Sequence, residues 1–341
     1  MTFRVFLYCL TCFFFLSIHS LSLAQQKMNG LSFVASSEPA KEVHAASVKS
    51  MNANWTALMP FAVMKNQSSP VLSHDQDRQW YGETEAGIKQ YHRLLKTAGI
   101  QSMLKPQIWI RDGKFTGRIH MQSPEDWLAF ERSYTDFILR YARLAALEQI
   151  PVFCIGTELK SFVRARPAYW KALIKKIRSV FKGQLTYAAN WDEFEETPFW
   201  TALDFIGIDA YFPLTPVQDP SKEVLQKAWK PHFTAIENMA LQCEIPVLFT
   251  EYGYRSVDYV GAKPWVVDRN KKPVNLAAQS RALEVLVNEF WPQDWFAGGF
   301  VWKWFMFLDR AGGPQDNRYT PQNKPAAKVL AKAYEPYLVK S

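Results

Sequence analysis

Two glutamates stand where this sequence could do chemistry. Glu158 closes the segment Ile155-Gly156-Thr157-Glu158-Leu159, and Glu251 lies in Leu248-Phe249-Thr250-Glu251-Tyr252-Gly253. Each carboxylate directly follows an apolar run, where burial is costly unless something pairs with the charge or uses it. One such residue alone is equally explained by a structural salt bridge or a rim charge. Two of them form a working pair: one carboxyl protonates a leaving oxygen while the other attacks or activates water. Cleavage of a glycosidic bond requires such a pair. Outside residues 1–24 the histidines (His44, His74, His92, His120 and His232) are scattered, with no close pair at metal-ligand spacing. Two carboxylates suffice for the acid, base and nucleophile roles, so neither a cofactor nor a metal is expected.

The elements that must position this pair can be read from the pattern. Apolar or β-branched runs at 29–36, 55–64, 101–110, 151–157, 185–190, 205–211, 247–250 and 298–304 read as eight strands. Amphipathic segments at 84–98, 123–148, 167–181, 221–242, 275–290 and 325–334 read as helices between or after them. Ser123-Pro124-Glu125-Asp126 carries an N-cap, a first-turn proline and early acids. Eight strands mostly separated by helices, with no break between halves, indicate a single-domain (β/α)8 TIM barrel of the α/β class. Fully apolar stretches such as Val152-Phe153-Cys154-Ile155 fit parallel strands covered on both faces. A doubly wound open sheet would show a glycine-rich turn after its first strand, and Val34-Ala35-Ser36-Ser37-Glu38 has none. The two glutamates then sit at strand C-termini, three strands apart across the barrel mouth. The long irregular insertions 66–81 and 256–272 fall on that same face.

Composition narrows the partners. The chain has 341 residues, 48% hydrophobic and 21% charged, which is globular. Its net charge of +8 is dispersed. The densest basic stretch, 171–182, lies on a helix with an apolar stripe, so it reads as a solvated face and no nucleic acid is expected. Thirteen Trp, fourteen Tyr and 24 Phe exceed what a core needs and suit stacking on ring-shaped ligands. Residues 1–24 read as a signal peptide: Arg4, an apolar run over 5–18, and small residues at Ser22 and Ala24. Cleavage after Ala24 leaves a catalytic domain of 25–341, secreted or held at the periplasm or cell envelope, without stable membrane insertion. A monomer is expected. Cys154 and Cys243 read as buried free thiols.

Several segments, taken together, resemble one family. They are Leu104-Lys105-Pro106, Ile155 to Leu159, Asp204-Phe205-Ile206-Gly207-Ile208-Asp209-Ala210-Tyr211-Phe212-Pro213-Leu214, Phe249-Thr250-Glu251-Tyr252-Gly253-Tyr254-Arg255-Ser256 and Val301-Trp302-Lys303-Trp304. Their order over nearly the whole mature chain is similar to that of glycoside hydrolase family 113, a family of endo-β-mannanases. It belongs to the clan of barrel glycosidases that retain anomeric configuration. The resemblance implies Glu158 as acid/base, Glu251 as nucleophile and Tyr211 as a hydrogen-bond donor to that nucleophile. It places Trp302 under the sugar, although strand alternation leaves a barrel-core position open. Asn190, Trp191 and Trp109 would line the substrate rim. Lys105 would line the cleft or pair with an acid, and Arg255 would either support the site's anion or anchor its loop. Much of the clan has Asn directly before the acid/base, in reach of the sugar 2-OH. Here the residue is Thr157, which bears on the choice of sugar.

The expectation is therefore a secreted, retaining endo-β-1,4-mannanase acting on polysaccharide. A β-glucanase using the same pair, or a non-catalytic barrel that only binds glycan, are the alternatives.

Overall fold

The computed structural model describes residues 26–74, 79–266 and 273–338. The expected signal peptide lies outside them. Eleven strands are described. Eight close into a barrel: β1 (Met28–Phe33), β2 (Trp55–Leu58), β5 (Gln101–Leu104), β7 (Val152–Thr157), β8 (Gln184–Asn190), β9 (Ile206–Asp209), β10 (Val247–Tyr252) and β11 (Phe296–Trp304). Every neighbouring pair around the ring is parallel, from β1 beside β2 to β11 back against β1. Three short strands form a separate sheet: β3 (Phe61–Met64), β4 (Leu72–Ser73) and β6 (Gln107–Ile110).

Among the described residues eight α-helices surround the barrel or connect it: α1 (Glu42–Lys49), α2 (Glu85–Thr97), α3 (Pro124–Glu148), α4 (Lys160–Ala165), α5 (Pro167–Val180), α6 (Lys222–Cys243), α7 (Leu276–Phe290) and α8 (Pro325–Tyr334). The expected Ser123 cap is made, its side chain accepting from the Asp126 amide. Thr84, Ser221 and Asn275 cap their helices in the same way, accepting from Gly87, Val224 and Ala278. Trp170, Leu173, Ile174 and Ile177 of α5 pack inward, while Lys171, Lys175 and Lys176 are exposed, as a solvated basic face requires. The periodicity did not reveal α1, which buries only Ala45 and Val48, or α4, which is one and a half turns long.

The barrel interior is filled from below by Met28, Ala57, Met103, Cys154, Leu248 and Phe300 among others. Its seam closes where β11 meets β1 at Gly298. There φ is +126° and a Cβ would stand 2.4 Å from the Met28 carbonyl oxygen, so only glycine fits. Cys154 is buried and free; Cys243 is free but only half-buried, at the end of α6, which corrects the expectation of two buried thiols.

Two expected strands turn out to be two pieces each. The run 55–64 is β2 plus β3, and 101–110 is β5 plus β6. The breaks fall at Pro60 and Pro106, residues that cannot donate to a ladder. Leu58 pairs with Leu104 before the breaks and Phe61 with Gln107 after them, so the register is unchanged. The ladder is bridged by Lys105 N donating to Leu58 O and Gln107 N to Pro60 O. The two strands thus leave the barrel together, as a ribbon that forms one wall above its mouth.

Candidate active site

The C-terminal ends of the barrel strands gather the polar residues. Glu251 on β10 is 7% exposed. Lys105, at the kink after β5, sends its ammonium 2.5 Å from Glu251 Oε1. Gln107 Nε2 donates to the same oxygen at 3.2 Å, and the Tyr211 hydroxyl donates to Oε2 at 2.9 Å. An ionised carboxylate, which only accepts, can receive all three bonds. Burial and the charge of Glu251 hold the Tyr211 phenol well above its ordinary pKa, so it remains a donor.

Lys105 also donates to both oxygens of Asp209, at 3.1 and 3.3 Å, and Thr250 Oγ1 donates to Asp209 Oδ1 at 2.7 Å. Lys105 and Asp209 are fully buried. Burial alone would lower the Lys105 pKa; the charges of Asp209 and Glu251 outweigh it and raise it. Burial and then the Glu251 charge push Asp209 up to about 7, against the pull of Lys105.

Glu158 follows β7 in a different setting. None of the described residues donates a hydrogen bond to its carboxyl. Burial first, then the negative charges of Asp209 and Glu251, hold its pKa well above the carboxylate range. The two glutamates face the same cleft in different settings: Glu251 is held by three donors, and Glu158 is driven to keep its proton.

The cleft consists of two cavities of about 500 and 700 Å³ that share Glu158, Glu251, Trp302 and Phe115. One extends to Asn190, Trp191, Trp265 and Tyr319; Trp191 and Trp265 stack with centroids 5.0 Å apart. The other extends along the ribbon to Trp80 and Trp109, both more than half exposed. Trp302 faces the cleft rather than the barrel core, and the Lys303 ammonium lies 5.0 Å from its ring centre. Thr157 lines the second cavity with its Oγ1 buried and without a hydrogen-bond partner. Of the residues singled out from the sequence, Glu158, Glu251, Trp109, Thr157, Asn190, Trp191, Tyr211 and Trp302 therefore border one cleft. Arg255 does not: its Nε donates to the Asn317 carbonyl at 3.2 Å, so it anchors its loop.

Asp209 and Gln107 were not singled out. Asp209 carried the same signal as the two glutamates, a lone acid ending an apolar run, inside a segment already quoted. Trp80, Trp265 and Tyr319 sit on irregular stretches, where spacing gives no information.

The sequence model of Glycoside Hydrolase Family 113 matches residues 34–324. The chain belongs to this family. It is a glycoside hydrolase with the family's (β/α)8 barrel. The β-mannanase AaManA of Alicyclobacillus acidocaldarius, solved in complex with ManMIm, is 25% identical with a TM-score of 0.79; the match covers 92% of this chain and 98% of that one. A second family 113 β-1,4-mannanase superposes with a TM-score of 0.78 at 20% identity, over 91% of this chain and 99% of the other. A Faecalibacterium prausnitzii β-glucuronidase shares the fold, with a TM-score of 0.62 at 13% identity over 93% of this chain and 50% of that one. No curated protein matches the chain. Among the described residues no helix is long and apolar enough to cross a membrane.

The buried triad in this family 113 member makes a prediction. Lys105→Met removes the cation that separates Asp209 from Glu251. Breaking a buried pair from one side costs about 3–5 kcal/mol. Asp209 is then driven further above its unfolded value, so the folded form binds its proton more tightly and stability falls as pH rises. Urea denaturation should show a larger deficit against wild type at pH 8 than at pH 5. An equal deficit at both values would mean that the Asp209 charge is not what Lys105 balances.

Proposed function

We propose that this enzyme is a secreted, retaining endo-β-1,4-mannanase in which Glu158 is the acid/base and Glu251 the nucleophile. The observation that carries the assignment is the contrast between the two carboxyls. A nucleophile must be charged and fixed in direction, and Glu251 receives Lys105, Gln107 and Tyr211. A general acid must hold a proton near working pH, and the surroundings of Glu158 favour the neutral form. In the first step Glu158 protonates the departing glycosidic oxygen while Glu251 Oε attacks the anomeric carbon. In the second, Glu158 takes a proton from water, which displaces Glu251 and restores the original anomeric configuration. Proton NMR of the first-formed product tests retention.

Likeness to the AaManA β-mannanase supports mannan as substrate. Endo action is supported by a cleft that runs past the carboxyl pair on both sides. One arm is built on the segments after β8 and β10, the other on those after β2 and β5, on different sides of the barrel mouth. Product analysis on mannan, glucomannan and cellulose is the decisive experiment; release of oligosaccharides of mixed length from mannan and glucomannan, and none from cellulose, is the expected result. The leader at 1–24 supports export, which N-terminal sequencing of the mature protein tests.

The aromatic arm yields a second expected result. Trp265→Ala removes a ring stacked on Trp191, and such a pair is worth about 0.5–1.5 kcal/mol beyond its buried area. KM for long mannan should rise by about 3- to 10-fold with kcat little changed. A fall in kcat at unchanged KM would place the ring nearer the reacting sugar than its lining position implies.

A further inference from the structure

On the helix side of the barrel wall, behind Glu158, lies a buried carboxyl that the proposed reaction leaves unused. Glu193, in the segment after β8, is 3% exposed. Its Oε1 accepts the Tyr187 hydroxyl proton at 2.7 Å, and its Oε2 is buried without a hydrogen-bond partner. Tyr187, fully buried on β8, in turn accepts the Leu159 N–H at 2.7 Å. The preceding amide, that of Glu158, donates to the Ala188 carbonyl at 2.8 Å. Both amides flanking the Glu158 α-carbon are therefore tied to β8, one through backbone and one through a side chain. Between them Glu158 adopts φ +52°, the left-handed region that residues other than glycine seldom occupy and that surrounding structure must enforce. A phenol can donate and accept. With its proton committed to Glu193, the Tyr187 oxygen meets Leu159 as an acceptor.

We propose that Glu193 is a positioning residue for Glu158, acting through Tyr187 and the Leu159 amide to hold the left-handed turn that aims the acid/base carboxyl into the cleft. This rests on the reading of Glu158 as acid/base.

The charge of Glu193 has a second effect at the same place. The charged groups facing Glu158 are Asp209 on β9, Glu251 on β10, Lys105 after β5 and Glu193 itself. Those facing Glu193 are Tyr187, Asp192, Lys160 and Asp209. Burial first, and the Asp192 charge with it, push the Glu193 carboxyl up to about 7, against the Tyr187 hydrogen bond. Above that pH Glu193 is an anion. A like charge so close opposes loss of the proton from Glu158.

Two variants separate these effects, each assayed for kcat and KM on β-mannan across pH and for its thermal midpoint. Tyr187→Phe deletes one oxygen and keeps the ring. Its kcat should fall about 10-fold at unchanged KM, since a misaimed acid costs rate rather than affinity. Glu193→Gln keeps an acceptor oxygen and removes the charge. Its kcat at the optimum should stay within roughly 2-fold of wild type, while the alkaline limb moves about half a pH unit toward acid. A Tyr187→Phe protein that melts earlier but keeps its kcat, or a Glu193→Gln protein with the wild-type alkaline limb, overturns the proposal. If wild type cleaves no β-mannan, the functional reading fails instead. The positioning role is then read by carbon NMR titration of Glu158 in wild type and Tyr187→Phe, since a carboxyl turned out of its buried setting loses part of the burial that raises its pKa. A midpoint shifted toward acid supports it and an unmoved midpoint overturns it.

Discussion

Glu251→Gln is expected to lower kcat on β-mannan by about 10⁴-fold or more while the protein still folds. The amide has the shape of the carboxyl but cannot attack the anomeric carbon, so no covalent intermediate forms. The loss should be the same for polysaccharide and for activated aryl glycosides, because both pass through that attack. Substrate affinity should survive, since Trp302, Trp191 and Trp109 are untouched. Initial rates, with circular dichroism to confirm folding, decide the matter. Residual turnover above about 1% of wild type would show that Glu251 is not the nucleophile, because removing a group that forms the intermediate costs far more than that.

Glu158→Ala should behave differently, and the difference is diagnostic. A sugar alkoxide leaves poorly without a proton, so activity on mannan should fall by about 10²- to 10⁴-fold, the range for a lost general acid. A dinitrophenolate leaves readily without help, so an activated aryl mannoside should still form the glycosyl-enzyme. The variant then stalls, because water needs a base in the second step. Azide needs none: it should relieve the stall and give a glycosyl azide of retained configuration. Glu251→Gln should give neither stall nor azide product. Near wild-type activity of Glu158→Ala on mannan would make Glu158 a rim charge with no part in the reaction. Retained glycan affinity in both variants, with no wild-type turnover on any β-glycan, would favour the binding-only barrel.

The barrel was legible because its signals are local. Ser123-Pro124 and the Ser221 and Asn275 caps fix where helices begin, and fully apolar runs such as Val152 to Ile155 mark strands buried on both faces. The carboxyl pair was legible for the same reason: one acid at the end of such a run is explained as well by a salt bridge, but two of them across one barrel mouth are not. What the sequence could not show depends on distant parts meeting. That Lys105 faces Asp209 and Glu251, more than a hundred residues away, is a product of barrel closure. The Glu193–Tyr187–Leu159 link likewise joins two loops through a side chain on a strand between them, a meeting that no local spacing marks. The breaks at Pro60 and Pro106 left a local mark, but an apolar run on either side of a proline reads as one strand until the second sheet is seen.

The ribbon that these prolines release carries a consequence for how such a cleft can vary. All four residues of β6 border the cleft cavity, but their burial alternates: Gln107 and Trp109 are the more exposed, while Ile108 and Ile110 pack into the core. The phase of that alternation is inherited from the barrel through the unbroken pairing on either side of the prolines. Adding one residue between Leu104 and Gln107 would exchange the two sets, exposing isoleucines to the sugar and burying a glutamine and a tryptophan. Adding two would restore the phase and only lengthen the wall. Tolerated changes in this stretch should therefore come in even numbers, so the depth of this side of the cleft is set in steps rather than continuously.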